Sequence, residues 1–286
     1  MVGSNEQYSL QEPFAQRVAR SQAALSPAQR LVADYFVGSG RSAVVESASA
    51  IAGELGLSDA TVVRTAQALG YSGLPELRRA LAGQVEDLTL AERLHQSLAR
   101  SGHDTMAASA ESLVASVDAL VGRVSGSRFD RAVGILDRAD RLLWSGIGPS
   151  APLADYASVL ARRLGRPSVA LTRSGPASAD DLLEVVPTSA VVVMAYGRLH
   201  RHVDALLRRA AEQSVPVVLI TDVLERELGD RVAETLVCWR GAPGLFASHA
   251  PTMVLLEALL MALAGTNPDR AESSLAELEE LRALTV

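Results

Sequence analysis

Residues 47–71 read Ser-Ala-Ser-Ala-Ile-Ala-Gly-Glu-Leu-Gly-Leu-Ser-Asp-Ala-Thr-Val-Val-Arg-Thr-Ala-Gln-Ala-Leu-Gly-Tyr. Ile51, Ala52 and Leu55 share one helical face. Gly56 stops that helix, because glycine takes the left-handed conformation that a C-terminal cap needs. Leu57 packs back as the apolar contact of the cap. Ser58 is an N-cap, and Asp59 suits the positive end of a second helix. That helix turns Val62, Ala66 and Leu69 inward and leaves Thr61, Val63, Arg64 and Gln67 on its outer face. Two short helices joined by a Gly-containing turn make a helix-turn-helix unit. In the DNA-binding version the second helix lies in the major groove, its first residues near base edges. The alternative for this stretch alone is an ordinary helical hairpin in a core.

The flanks extend the helical reading. Ser26-Pro27-Ala28-Gln29 is a helix start, with Ser26 as N-cap, Pro27 in the first helical position and Gln29 completing a capping box. Leu31, Val32, Tyr35 and Phe36 form the apolar face of that helix, and Gly38-Ser39-Gly40 ends it. A further helix is expected before it, over 13–24, after a loose tail over 1–12. Ser72-Gly73 closes the central unit, and a helix over 74–85 follows, carrying Arg78 and Arg79. Residues 1–85 therefore read as an all-α DNA-binding domain. Residues 86–126 read as a helical linker and dimerisation segment, with helices over 88–101 and 105–121.

Composition bounds the rest. The chain has 286 residues, 48% hydrophobic and 21% charged, enough for two packed domains. Its formal net charge is -6, which does not favour DNA. The charge is uneven, however. Residues 13–82 hold seven arginines against five carboxylates, a local balance of +2. All 27 basic residues are arginine. Cys238 stands alone in an apolar run and reads as a buried structural thiol. The N-terminus lacks the pattern of a signal peptide, and the apolar run over 250–264 is too short for a bilayer. The expectation is a soluble cytoplasmic protein with no membrane partner, no metal and no cofactor.

From about residue 127 the pattern changes. Apolar strands over 141–145, 168–171, 190–195, 215–221 and 234–239 alternate with helices. This alternation predicts an α/β domain over 127–286, with a five-stranded parallel sheet covered by helices on both faces. Ligands of such sheets bind beyond the carboxyl ends of the strands. After the first strand, Gly146-Ile147-Gly148-Pro149-Ser150 turns into a helix N-terminus, an anion-attracting arrangement. It is not the dinucleotide fingerprint, and Pro149 removes one donor. After the third apolar run come Ala195-Tyr196-Gly197-Arg198-Leu199-His200. Arg198 and His200 are candidates for an anionic or polyhydroxylated ligand, and His249 is a candidate for the same pocket. The alternative for each is an exposed or structural residue. The paired acids Asp180-Asp181 and Glu279-Glu280 read as solvated faces. No catalytic constellation is visible.

With both halves read, the chain resembles the RpiR/MurR family of bacterial transcription regulators, which join a helix-turn-helix domain to a sugar isomerase (SIS) domain. The resemblance rests on the Ser26-Pro27 start, Ala52, Gly56, Ser58, Ala60-Thr61-Val62, Arg64, Leu69-Gly70-Tyr71, Ser72-Gly73 and Leu77, then on Gly146, Gly148, Ser150 and Ala154. It implies double-stranded operator DNA as partner, a homodimer or homotetramer, and a small-molecule effector that is a phosphorylated sugar or related anion. The second loop departs from the family's Ser-x-Ser-Gly-x-Thr phosphate cradle, having lost its hydroxyls. The expectation is an effector other than an ordinary sugar phosphate, or an anion contact supplied by Arg198.

The leading function is thus a ligand-responsive DNA-binding regulator, not an enzyme. Its expected DNA-binding residues are Ser58, Thr61, Val63, Arg64, Gln67, Arg78 and Arg79. Its expected effector-binding residues are Gly146, Gly148, Ser150, Tyr196, Gly197, Arg198, His200 and His249. The alternatives are a sugar-phosphate isomerase and a metabolite-binding module with a degenerate DNA-binding domain.

Overall fold

A computed structural model describes residues 14–22, 24–39, 47–87, 105–240 and 247–285, with isolated positions between 91 and 98. The expected tail over 1–12, the helix end at Gly40 and most of the helix over 88–101 lie outside the described residues. The chain forms two compact units that divide between Ser112 and Leu113.

The N-terminal unit is helical: α1 (Phe14–Ser21), α2 (Pro27–Ser39), α3 (Ala48–Leu55), α4 (Asp59–Ala68) and α5 (Leu74–Asp87). The α2 capping box forms as read, the Ser26 amide donating to Gln29 Oε1 at 2.9 Å and the Gln29 amide to Ser26 Oγ at 3.3 Å. Phe14, Val18, Val32, Phe36, Ile51, Val62, Leu69 and Leu77 build one core. Leu31 is not part of it: its side chain is 54% exposed, while Ala33 is buried. The buried stripe of α2 runs through 32, 33 and 36, and Leu31 lies one helical step outside it. Arg17 also differs from the charge count above. It is buried, its guanidinium 4.7 Å from the centre of the Tyr71 ring, with Nη1 3.5 Å from the Leu69 carbonyl. That cation belongs to the core, so it adds nothing to the surface that would meet phosphate.

The C-terminal unit begins within α6 (Thr105–Arg123), whose Leu120 packs into the sheet core. Then come α7 (Gly126–Asp137), β1 (Arg141–Ser145), α8 (Ala151–Arg163), β2 (Ser168–Leu171), α9 (Ser178–Leu182), β3 (Ser189–Met194), α10 (Arg201–Glu212), β4 (Val217–Thr221), α11 (Glu225–Leu228), β5 (Glu234–Val237), α12 (Ala250–Thr266) and α13 (Pro268–Ala283). The strands form one parallel sheet in the order β2-β1-β3-β4-β5. Successive residues of β3 alternate between its faces. Ala190, Val192 and Met194 meet α7, α8 and α12 on one side, and Val191 and Val193 meet α10 on the other. β4 begins two residues later than its apolar run. Ser214 has φ 55° and Pro216 has no amide hydrogen to donate to a ladder.

Charged groups inside this unit are paired. Glu234 is buried on β5 and accepts from Arg131 Nε at 2.6 Å. Arg166, 4% exposed, donates to the Asp137 carboxylate, to the Asp137 carbonyl at 3.0 Å and to Thr266 Oγ1 at 3.0 Å. Asp181 corrects the reading of its pair as solvated. It is buried, accepting from the Arg173 amide at 2.9 Å, because α9 folds its first turn back over the end of β2. Among the described residues no single helix is long and apolar enough to cross a membrane.

Candidate functional site

Two polar surfaces remain. The first is the outer face of α4. Gly56 has φ 65°, and the Leu57 amide reaches the Ala52 carbonyl at 2.8 Å, so α3 ends in a left-handed cap. Ser58 then caps α4, its Oγ accepting from the Thr61 amide at 3.3 Å and lying 2.9 Å from Thr61 Oγ1. The Ser49 hydroxyl donates to the Asp59 carboxylate, joining the two helices. Val62, Thr65, Ala66 and Leu69 are buried. Arg64 and Gln67 are exposed, and Thr61 and Val63 are half-buried. Arg64 Nε donates to the Ala60 carbonyl at 3.1 Å, which lays the side chain along the first turn of its own helix. Arg79 is exposed and Arg78 half-buried on α5.

The second surface is the crevice at the carboxyl ends of the strands. β1 pairs with β2 on one side and β3 on the other, so the chain reverses its winding at β1/β3, where this architecture binds ligands. Gly146 follows β1 and tolerates no side chain: a Cβ there would sit 2.4 Å from the Ser150 carbonyl oxygen. Gly148 has φ 57°, and Ser150 is buried at the start of α8. Ser145 Oγ lies 3.4 Å from His202 Nε2, which ties the end of β1 to α10. Burial lowers the His202 pKa, with the neighbouring Asp181 acting in the opposite sense.

The second loop is held by groups from β4, β5 and α12. Gly197, at φ 73°, donates its amide to Asp222 Oδ1 at 2.9 Å. The Tyr196 hydroxyl lies 2.7 Å from Thr252 Oγ1. His249 approaches the Tyr196 ring edge-on at 5.5 Å, and the Arg240 guanidinium lies 3.8 Å from the ring centre. Burial, with Arg240 beside it, lowers the His249 pKa to about 4, so its imidazole is neutral at pH 7. Burial raises the Cys238 thiol to about 11 and the Tyr196 phenol well above its ordinary value.

The structure therefore gathers Tyr196, Gly197 and His249 into one cluster and places Gly146, Gly148 and Ser150 on the adjoining loop. Arg198 is exposed, and His200 sits at the N-cap of α10 without a side-chain cap bond. Sequence reasoning missed Asp222, Arg240, Thr252, Ser145 and His202. Asp222 had a signal, being the first residue beyond β4, where the strand-end rule already directs attention. Arg240 had none in local sequence.

Comparison with known proteins agrees with both halves. Residues 14–88 match the helix-turn-helix domain of the rpiR family. The HTH-type transcriptional regulator YfhH of Escherichia coli K12 is 25% identical over 228 residues, covering 77% of this chain and 79% of YfhH. The bifunctional protein Glk of Paraburkholderia xenovorans is 27% identical over 155 residues, 54% of this chain, and the match spans only 24% of Glk. NanR of Vibrio vulnificus, solved in complex with ManNAc-6P, superposes with a TM-score of 0.59 at 21% identity, covering 96% of this chain and 99% of NanR. The sugar isomerase domain of the Sphaerobacter thermophilus RpiR transcription factor gives 0.55 at 24% identity, covering 59% of this chain and 94% of that domain. The N-terminal domain is thus a helix-turn-helix domain of the rpiR family, and the parallel-sheet domain that follows it in the chain has the fold of the sugar isomerase domain of RpiR-type transcription factors.

Proposed function

We propose that the chain is a DNA-binding transcription regulator whose sheet domain binds a phosphorylated sugar or related small metabolite and thereby alters operator binding. The observation that carries this reading is the outer face of α4. It presents Thr61, Val63, Arg64 and Gln67 beside a capped N-terminus, on a helix whose other side is buried. Arg64 or Gln67 makes bidentate contacts to guanine or adenine edges. Backbone amides at the start of α4 hold phosphate, and Arg79 adds non-specific attraction. A homodimer or homotetramer places two such helices on paired half-sites.

The effector enters the strand-end crevice, between the loop of Gly146, Gly148 and Ser150 and the loop from Tyr196 to His200, with His249 behind it. Its preference for one arrangement of the two DNA-binding units shifts their population. The ligand class is supported by NanR, which was solved with a sugar phosphate. Neither His249 nor Cys238 is poised for general acid–base work at neutral pH. His249 changes charge near pH 4 and Cys238 near pH 11, both far from the neutral pH at which a general acid or base works best. Selection of genomic fragments by the purified protein tests the reading. We expect recovery of discrete promoter fragments, lost with Arg64→Ala. Recovery that is unselective, or unaffected by that substitution, overturns the assignment of α4.

A further inference from the structure

Arg240 is poorly provided for where it stands. Its side chain is 13% exposed, and its Nε is buried without a hydrogen-bond partner. Nη2 lies 3.3 Å from Asp222 Oδ2 and Nη1 3.4 Å from His249 Nε2. Charge-assisted bonds of a guanidinium are ordinarily about 2.7–2.9 Å. A cation taken out of water regains its hydration energy only through short bonds that satisfy its donors. Here it has two long contacts and an aromatic face. Asp222, the facing anion, also accepts the Gly197 amide at 2.9 Å. His249 is neutral at pH 7, so it offers neither a competing cation nor an anion.

The guanidinium is nevertheless fixed in place. It stacks on Tyr196, which is itself held by Thr252 and by the edge of His249. A planar fork held on an aromatic face, with its donors under-used, is suited to receive an oxyanion bidentately. It also lies beside the second loop, which has no serine or threonine from Ala195 to His200.

We propose that Arg240 receives the effector's oxyanion, a phosphate ester or a carboxylate, in exchange for its long contacts to Asp222 and His249. This rests on the reading of the sheet domain as the effector-binding domain, and it moves the anion contact from the exposed Arg198 to an interior arginine. Attraction from Arg198 is screened by water and salt, whereas that from Arg240 is screened much less. Release of Asp222 from Arg240 also removes a competing cation from the carboxylate that accepts the Gly197 amide, so ligand arrival is felt in the backbone of the second loop.

The test is thermal unfolding of the full chain with inorganic phosphate, glucose 6-phosphate, N-acetylmannosamine 6-phosphate, gluconate and uncharged glucose. The variants are R240Q, R240K, R198Q and D222N. We expect at least one oxyanion probe to stabilise the wild-type protein and to bind R240Q at least about tenfold more weakly. R198Q is expected to lose several times less. D222N keeps an acceptor for the Gly197 amide but removes the competing charge, so it should bind the same probe more tightly. Gluconate against the phosphates separates the two oxyanion sources. The proposal is overturned if no oxyanion probe stabilises the wild-type protein, if glucose matches its phosphate, or if R198Q loses as much as R240Q. R240K keeps the charge and controls for folding. Should R240Q not fold, D222N decides, and binding equal to or weaker than wild type overturns the proposal. Operator binding is measured in parallel. Release of DNA by an uncharged effector sinks Arg240's role and leaves the regulator reading intact. Absence of DNA binding sinks the regulator reading, while the oxyanion pattern still tests Arg240.

Discussion

The outer face of α4 and the strand-end crevice are both polar, but they are built differently. On α4 the candidate contacts lie within seven residues, and spacing alone sorts Thr61, Arg64 and Gln67 from Val62, Ala66 and Leu69. In the crevice the groups come from Ser145 through Thr252, and they bond to one another before any ligand arrives. A recognition helix leaves its donors outward for a partner. A ligand pocket spends most of its donors on its own architecture and holds few in reserve. The first is therefore sensitive to single side chains and the second to backbone placement.

The largest expected effect follows from that difference. Gly146→Ala puts a methyl group 2.4 Å from the Ser150 carbonyl oxygen, so backbone must move. We expect a loss of about 2–3 kcal/mol in the stability of the sheet domain, as for overpacking. Both tryptophans, Trp144 and Trp239, lie in that domain, so urea unfolding followed by tryptophan fluorescence reads it alone. An unchanged midpoint would mean that the loop is softer than the comparison requires.

Arg64→Ala sharpens the other side. It should weaken operator binding about 10- to 100-fold, from ~1.4–3 kcal/mol of lost base discrimination. Sheet-domain unfolding should not move. Ser58→Ala comes next, removing the cap of α4 for a loss of about 1 kcal/mol in the helical domain. Circular dichroism at the helical signal measures it, and a neutral result would separate the Ser58 hydroxyl from helix stability.

A further effect is on pH. His249 is neutral in the fold down to about pH 4, against 6.5 for an ordinary imidazole. Between those values the unfolded chain binds the extra proton, so stability rises with pH there. The contribution is complete above pH 6.5 and is lost as pH falls toward 4. The difference in urea midpoint between pH 7 and pH 5 should shrink in His249→Gln. An identical difference in the two proteins removes His249 from the interior cluster.

The same contrast explains what the chain's letters disclosed. Gly56, Ser58 and the Ser26–Gln29 box act on neighbours three or four residues away, so their geometry was legible. The valine-rich runs announced a doubly covered parallel sheet, because both faces of β3 and β4 are buried. Arg240 and Asp222 meet across 18 positions and two strand ends, and no local pattern pairs them. Arg17 looked like surface charge because its partner ring, Tyr71, is more than fifty residues away. Asp181 looked solvated because adjacent acids read as a polar face, whereas the Arg173 amide and guanidinium, eight positions back in the loop after β2, hold it in the interior. Leu31 erred by one helical step, which periodicity resolves poorly on a helix with apolar residues on several sides.

The claim that α4 reads DNA is tested most directly by the affinity of the purified protein for a selected promoter fragment, measured across salt concentrations with and without Arg64→Ala. The account predicts that the logarithm of affinity falls linearly with the logarithm of salt as counterions are released. It also predicts that Arg64→Ala lowers the preference for that fragment over unrelated duplex. Binding that ignores salt, or a preference that survives the loss of Arg64, contradicts it.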